Sequence, residues 1–406
     1  MRILHTADWH MNRELGWQSL NKDIRCSLEQ IANYLEDYKV DVMVVAGDVL
    51  EKTTRIEEMK QAIQDIRDVY LPFLKRGGTI VAVSGNHDNE IFFEALRDAL
   101  DLVSPTQTPT GKVHPTGRLY IAPNARILRL PDPKGNVVQF VLMPYPTPRA
   151  YLSGENIHHD TIEKRHRAIY EAFKARLEFL QSGEVIKEFP SVLVSHIHVR
   201  GVQPHSLYKI TELEDVIFEQ HDIPKHWAYI AYGHIHAPQP ALPGATNVRY
   251  AGSVTKLDAS EKDDHKSVVI CDIWPNGMRS EPEILPLHTT PMYQVNITDP
   301  DTQLPVLAQQ YADSSNALVH YTLQWDPSKH DRDILCRNIE QIFPRCYGRS
   351  FQEIGDITSQ TITFQPQKIQ NVVETVREYL DLRLKNNSHR DELIALAEAL
   401  LAEEVQ

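Results

Sequence analysis

At 406 residues the chain is long enough for about two to four domains, and 42% hydrophobic against 24% charged residues is the balance of a folded protein rather than a disordered one. No apolar run approaches the roughly 18 residues of a membrane helix, Met1–His5 opens without a signal-peptide pattern, and the four cysteines (Cys26, Cys271, Cys336, Cys346) are too few to staple it, so a cytoplasmic chain with reduced cysteines is expected. A net charge of −13 argues against a protein that coats nucleic acid by bulk electrostatics, while 19 histidines suggest imidazoles used as ligands or proton carriers.

The first hundred residues alternate strand and helix patterns: Arg2–Ala7 (strand), Lys22–Tyr38 (helix), Val40–Ala46 (strand), Ile56–Leu74 (helix) and Thr79–Ser84 (strand). This βαβαβ rhythm predicts a parallel sheet covered on both faces, with sites beyond the carboxyl ends of its strands. Glu90–Leu102 is helical and carries Ile91, Phe92, Phe93, Leu96 and Leu100. Short strands are expected at Leu119–Ala122, Arg126–Leu130 and Val137–Met143, a long helix at Asp160–Ser182, then strands at Ser191–Ser195, Ala228–Tyr232, Val248–Ala251 and Ser267–Ile273.

Pro275, Gly277, Pro282 and Pro286 make Trp274–Thr290 the best linker, closing a first α/β domain over 1–275. Tyr293–Ile297, Gln303–Tyr311, Ala317–Gln324, Asp331–Phe343 and Ser350–Ile354 then read as β, α, β, α, β, a small α+β domain over 291–365, and 366–406 reads as C-terminal helices. There is no internal repeat or low-complexity tract.

Five polar clusters each end a predicted strand: Asp8-Trp9-His10, Gly47-Asp48, Gly85-Asn86-His87-Asp88, Ser195-His196 and Gly233-His234-Ile235-His236. In extended backbone, residues two apart face the same way, so Asp8 with His10 and His234 with His236 can present adjacent ligands. Singly these clusters are weak, since Gly-Asp is a common turn and a lone histidine is usually structural. Together, two carboxylates, one amide oxygen and four imidazoles without a thiolate suit a pair of borderline divalent cations such as manganese. Two such ions a few ångströms apart can clamp the oxygens of a phosphoryl displacement, which points to phosphoester hydrolysis.

The ordered set, with Tyr250-Ala251-Gly252-Ser253, resembles the calcineurin-like metallophosphoesterases and, among them, nuclease subunits of bacterial DNA-repair complexes; the likeness in motifs runs from Met1 to about Ile273. That resemblance implies a β-sandwich flanked by helices, a capping domain that helps hold DNA, and C-terminal helices that dock on a coiled-coil ATPase. It implies a first metal on Asp8, His10, Asp48 and His236 and a second on Asp48, Asn86, His196 and His234, both manganese with magnesium as the second choice. His87 would stabilise the transition state or protonate the leaving 3′ oxygen, and Asp88 would orient an imidazole or begin the helix that follows. A homodimer through helices near Glu90–Leu102, duplex ends and hairpins as substrates, and 3′ to 5′ exonuclease with endonuclease action are implied likewise.

Two positions depart from the family pattern. Met11-Asn12 follow Asp-x-His where Leu-Gly is usual, and Leu50-Glu51 stand where an aromatic is followed by Asp or His at a position tied to exonuclease action. Other readings are a phosphatase or small-molecule phosphodiesterase, disfavoured by Val49-Leu50-Glu51-Lys52 and Asp88 in place of the phosphatase motifs, and a non-catalytic scaffold, disfavoured by the complete ligand set. His5 and His198 are additional imidazoles near the motifs, and Arg13, Lys52, Arg55, Arg149, Lys256 and Lys262 are candidate phosphate contacts.

Overall fold

Val42–Ala46 and Thr79–Val83 are buried at every position, and strands of this kind need packing on both faces. In the computed structural model, which describes residues 1–103, 113–152, 161–202, 215–223, 226–311 and 313–354 together with 377, 380, 390, 391 and 393–397, they receive it from two different partners. They lie in a seven-stranded sheet ordered Gly277–Met278, Ser267–Trp274, Arg2–Thr6, Val42–Ala46, Thr79–Val83, Leu119–Ala122, with Glu283–Pro286 also paired to Ser267–Trp274. Arg2–Thr6 through Leu119–Ala122 run parallel, whereas Ser267–Trp274 is antiparallel to Arg2–Thr6.

A second sheet of six strands is ordered Gln239–Pro240, Val248–Tyr250, Tyr229–Gly233, Ser191–His196, Val137–Met143, Arg126–Pro131. The two pack face to face: Ile3, Val42, Val44, Val81 and Val83 of the first meet Leu128, Phe140, Leu142, Val192 and Val194 of the second in one core. The outer face of the first sheet packs on Ile24, Leu28, Ile31 and Leu35 of the helix Asn21–Asp37 and on Tyr70 and Phe73 of the helix Ile56–Lys75. The outer face of the second packs on Ile169, Phe173, Leu177 and Leu180 of the helix Ile162–Gly183. The expected parallel sheet covered on both faces is thus one half of a β-sandwich flanked by helices. Helices cover one face and a second mixed sheet the other.

The stretch expected as a linker is partly ordered into strand. Glu283–Pro286 adds to the sheet edge opposite Ser267–Ile270, and Gly277–Met278 turns back on Ile273–Trp274. Pro286 lies on this edge strand, where a missing N–H is tolerated, and so marks no break. Beyond it Met292–Ile297, Leu318–Trp325 and Cys346–Glu353 form a parallel three-stranded sheet with the helices Pro300–Gln310 and Arg332–Ile342.

This small layer is tied to the first helix. Arg345 clamps buried Asp23 through Nη1 at 3.0 Å and Nη2 at 2.5 Å, and Gln18 Nε2 donates to the Cys346 carbonyl. The chain divides into two units, Met1–Ile354 and Gly355–Gln406. Most of the expected C-terminal helices fall outside the described residues; within the second unit, 393–397 is helical. All four cysteines are free thiols, and no described helix is long and apolar enough to cross a membrane.

Phe140 is fully buried between the sheets whereas Ile56 is exposed. Phe140→Ala should lower the unfolding free energy by about 3–5 kcal/mol, and Ile56→Ala should change it by no more than roughly 0.5 kcal/mol, as read by urea denaturation.

Candidate metal centre

All five motif clusters lie at or just past the carboxyl ends of strands, three on the first sheet and two on the second. Backbone bonds hold the first two side by side: Asp8 N–H donates to Gly47 O at 3.1 Å and His10 N–H to Asp48 O at 3.0 Å. Seven described non-glycine residues have positive φ, and four of them are predicted ligands: Asp8 (50°), His10 (46°), Asp48 (51°) and His234 (94°). Such backbone is disfavoured for residues with a Cβ, and it persists where surrounding structure over-determines it. Gly47, at φ 90°, lets the His196 ring lie against the chain, where a Cβ would come within 2.2 Å of Nδ1. Gly85 does the same for Asp48, whose Oδ1 would lie 2.1 Å from a Cβ.

The side chains form two groups that meet at Asp48. Asp8, His10 and His236 place ligand atoms within 4.8 Å of one another, as do Asp8, Asp48 and His196. Asn86 Oδ1 lies 2.9 Å from His196 Nε2 and 3.1 Å from His234 Nδ1. Asp48 Oδ2 stands between the groups, 3.4 Å from His10 Nε2 and 3.3 Å from His196 Nε2.

Each imidazole is oriented by an acceptor on its far nitrogen. His10 Nδ1 faces Glu51 Oε2 at 3.2 Å, His196 Nδ1 the Ala46 carbonyl at 2.7 Å, His234 Nε2 Asp215 Oδ2 at 2.8 Å and His236 Nδ1 Glu261 Oε1 at 2.8 Å. Each acceptor favours a proton on that nitrogen, so a bound cation would find the lone pair of the other, aimed inward. Without a cation, burial works against a charged His196, but the charge of Asp48 overrides it and raises the ring to about 9. His10 Nε2 is buried with no hydrogen-bond partner. An orphaned inward nitrogen, oxygen-rich neighbours and outer carboxylates are what a bound divalent cation requires, so these residues fit one.

Glu51 joins two imidazoles. Oε1 accepts from His87 Nδ1 at 2.8 Å while Oε2 faces His10 and takes Arg13 Nη1 at 3.1 Å. Burial works against ionisation of Glu51, but the hydrogen bonds of His10 and His87 override it and hold the carboxyl well below its usual range. For Asp48 likewise burial is overridden, chiefly by His196. Burial disfavours protonation of His87, yet the Glu51 hydrogen bond and the Asp48 charge raise it above its ordinary value. Burial, with the charges of His236 and His87, carries His10 below it against the opposing pull of Glu51 and Asp48.

Asp88 is hydrogen-bonded to backbone rather than to an imidazole. Its oxygens accept Leu50 N–H at 2.9 Å and Gly85 N–H at 2.8 Å, bracing two ligand loops, and burial followed by the charge of Asp48 pushes its carboxyl up to about 7. The helix that follows is bonded at its start by Asn89, which accepts Phe92 N–H. His5 lies between the sheets against Tyr229 Oη, where burial lowers it to about 3. His198 lies 3.4 Å from Asp215 Oδ2, behind His234. Of the basic candidates, Arg13 reaches the site through Glu51; Arg149 pairs with Glu94, Lys256 donates to the Lys262 carbonyl, and Lys52 and Arg55 are exposed.

Asp215, Tyr145 and Glu261 were not apparent in the sequence. Tyr145 Oη donates to Asp215 at 2.7 Å, and both supporting carboxylates come from segments without motif spacing. The departure at Glu51 was the one visible signal of this outer layer.

Residues 1–238 match the calcineurin-like phosphoesterase family. The chain is 27% identical over 288 residues to the SbcD subunit of the SbcCD nuclease from Bacillus subtilis strain 168, covering 70% of this chain and 69% of that protein. Against the proteins of the same name from Staphylococcus epidermidis and Staphylococcus saprophyticus it is 23% and 22% identical, covering 85% and 90% of this chain and 83% and 86% of theirs.

Gly85→Ala forces a methyl group onto Asp48, so divalent-cation affinity should fall at least tenfold by calorimetric titration. Gly183→Ala, which meets nothing within 4 Å, should leave it unchanged.

Proposed function

The chain belongs to the calcineurin-like phosphoesterase family, and from that premise we propose that it is a metal-dependent DNA nuclease of double-strand break repair and recombination. The observation that carries this reading is the pair of ligand groups meeting at Asp48 with the His87 ring, edge-on to His10 at 4.6 Å, beside them. Similarity to three SbcCD nuclease subunits supports a nucleic-acid substrate, and DNA is the one proposed here.

Asp8, His10, Asp48 and His236 would hold one divalent cation and Asp48, Asn86, His196 and His234 a second, manganese in preference to magnesium. Bound there, the pair would supply Lewis-acid polarisation of a phosphodiester and a water-derived nucleophile at neutral pH. The chain's own task is then the leaving group. His87, its Nδ1 held by Glu51, offers Nε2 to the 3′ oxygen as general acid. Glu51 aims this imidazole and the ligand His10 together. Asp88 acts through the loops it braces. The activities expected are 3′ to 5′ exonuclease on duplex ends and endonuclease on single strands and hairpins.

Residues 291–365 would cap the site and help hold DNA, and 366–406 would dock on an SbcC-type coiled-coil ATPase that gives access to it. The helix Glu90–Val103 leaves Ile91 and Leu102 exposed, and a homodimer through this region would set two sites at one DNA end.

Purified protein incubated with linear duplex, hairpin DNA and a small phosphodiester in manganese should cleave the DNA substrates, and chelator should stop it. Hydrolysis of the small substrate alone, even with an SbcC-type ATPase present, would sink the nuclease reading. His87→Ala should keep its metal and lose roughly 100- to 10,000-fold in turnover. Sedimentation at micromolar concentration should give a dimer; a monodisperse monomer excludes it.

A further inference from the structure

Lys266 is 1% exposed, a rare state for an ammonium group. All three of its N–H donors are used: on Glu261 Oε2 at 2.7 Å, on Asp264 Oδ2 at 2.9 Å and on the main-chain carbonyl of His236 at 3.0 Å. Glu261, fully buried, divides its two oxygens. Oε1 meets His236 Nδ1 alone, while Oε2 collects Lys266, Leu257 N–H at 3.1 Å and Ser253 Oγ at 3.2 Å. One ammonium therefore grips the same histidine twice, at its backbone and, through the carboxylate, at its ring.

The other site imidazoles are held differently. His196 uses a main-chain carbonyl, His234 uses Asp215 with Tyr145, and His10 uses Glu51 with the part-buried Arg13. A buried ion pair adds little net stability over apolar packing, and its best-attested use is to impose one arrangement. Here the arrangement imposed is the aim of His236 Nε2 toward Asp8 and His10.

We infer that Lys266 is a positioning residue for the Asp8–His10–His236 group. Through Glu261 and the His236 carbonyl it sets that group's affinity for a divalent cation, leaving the Asn86–His196–His234 group unaffected. The inference rests on the metal-centre reading proposed above. It adds a buried cation that tunes one of the two metal positions.

The test titrates metal-free full-length chain with manganese by calorimetry and native mass spectrometry. Wild type should bind two ions. Lys266→Met should weaken one of them about 10- to 100-fold and leave the other at wild-type affinity. Glu261→Gln should weaken the same ion, and the double variant should lose less than the product of the two effects because both act along one path. In the metal-free state at alkaline pH, where the His236 ring is neutral, long-range nitrogen–proton NMR should show it as the Nδ1–H tautomer in wild type and a mixture in Lys266→Met. Two ions bound with wild-type affinity by either variant, or equal weakening of both ions, would overturn the inference. Should Lys266→Met fail to fold, Glu261→Gln decides alone. A wild type that binds no manganese overturns the metal reading, and this inference with it.

Discussion

Asp48 holds its carboxylate 2% exposed between His10 Nε2 and His196 Nε2, and much of the molecule follows from putting a charge there. A carboxylate removed from water must be given partners or it takes up a proton. Oδ1 accepts His87 N–H at 2.8 Å, so one oxygen is satisfied by the loop that also carries Asn86. The other is left to two imidazoles from different sheets. The strand ends can reach this carboxylate only because the sheets are stacked and their parallel strands end together. The sandwich is in this sense the scaffold a shared carboxylate demands.

Local backbone makes the same point. Asp8, His10, Asp48 and His234 all sit at positive φ, a disfavoured state for each residue in isolation. Paired strands on one side and bonds such as His234 N–H to Asp8 Oδ1 at 2.9 Å on the other hold them there. The strain thus lies within one shell of atoms, underneath which Leu4, Val44, Val81 and Val194 pack with no exposure. The core is ordinary so that the rim can be unusual.

That division explains what could be read from the chain alone. The strands Leu119–Ala122 and Val137–Met143 were legible to the residue because dense β-branched and apolar runs have one use. The ligand motifs were legible because each follows such a run directly. The second face of the first sheet was legible only through the family resemblance, which implied a β-sandwich, since a strand buried by helices and one buried by another sheet share the same apolar pattern. Glu283–Pro286 was hidden by its prolines, which suit an edge strand and a linker equally. Glu261, Asp215 and Lys266 were hidden for a deeper reason: they support histidines 25, 19 and 30 residues away along the chain. No local period records a pairing made by tertiary folding. Glu51 drew notice only as a departure from a family pattern, and the structure gives it two imidazoles and an arginine to hold.

The acidic balance of the whole chain reappears here in miniature. Asp8, Asp48, Glu51, Asp215, Glu261 and Asp264 bring six carboxylates to the site and its supports, against two permanent cations, Arg13 and Lys266. With neutral imidazoles the cradle is net negative, and a phosphodiester approaching it meets repulsion. Two divalent cations would cancel that charge and outweigh the ligand carboxylates Asp8 and Asp48 two to one at the ions themselves, so affinity for the substrate and capacity for chemistry would arise together on metal binding. A chain at −13 therefore need not hold nucleic acid by its own surface. The charge that recruits phosphate can be local and borrowed, and the outer carboxylates that on their own would repel an anion are the same groups that aim the ligands.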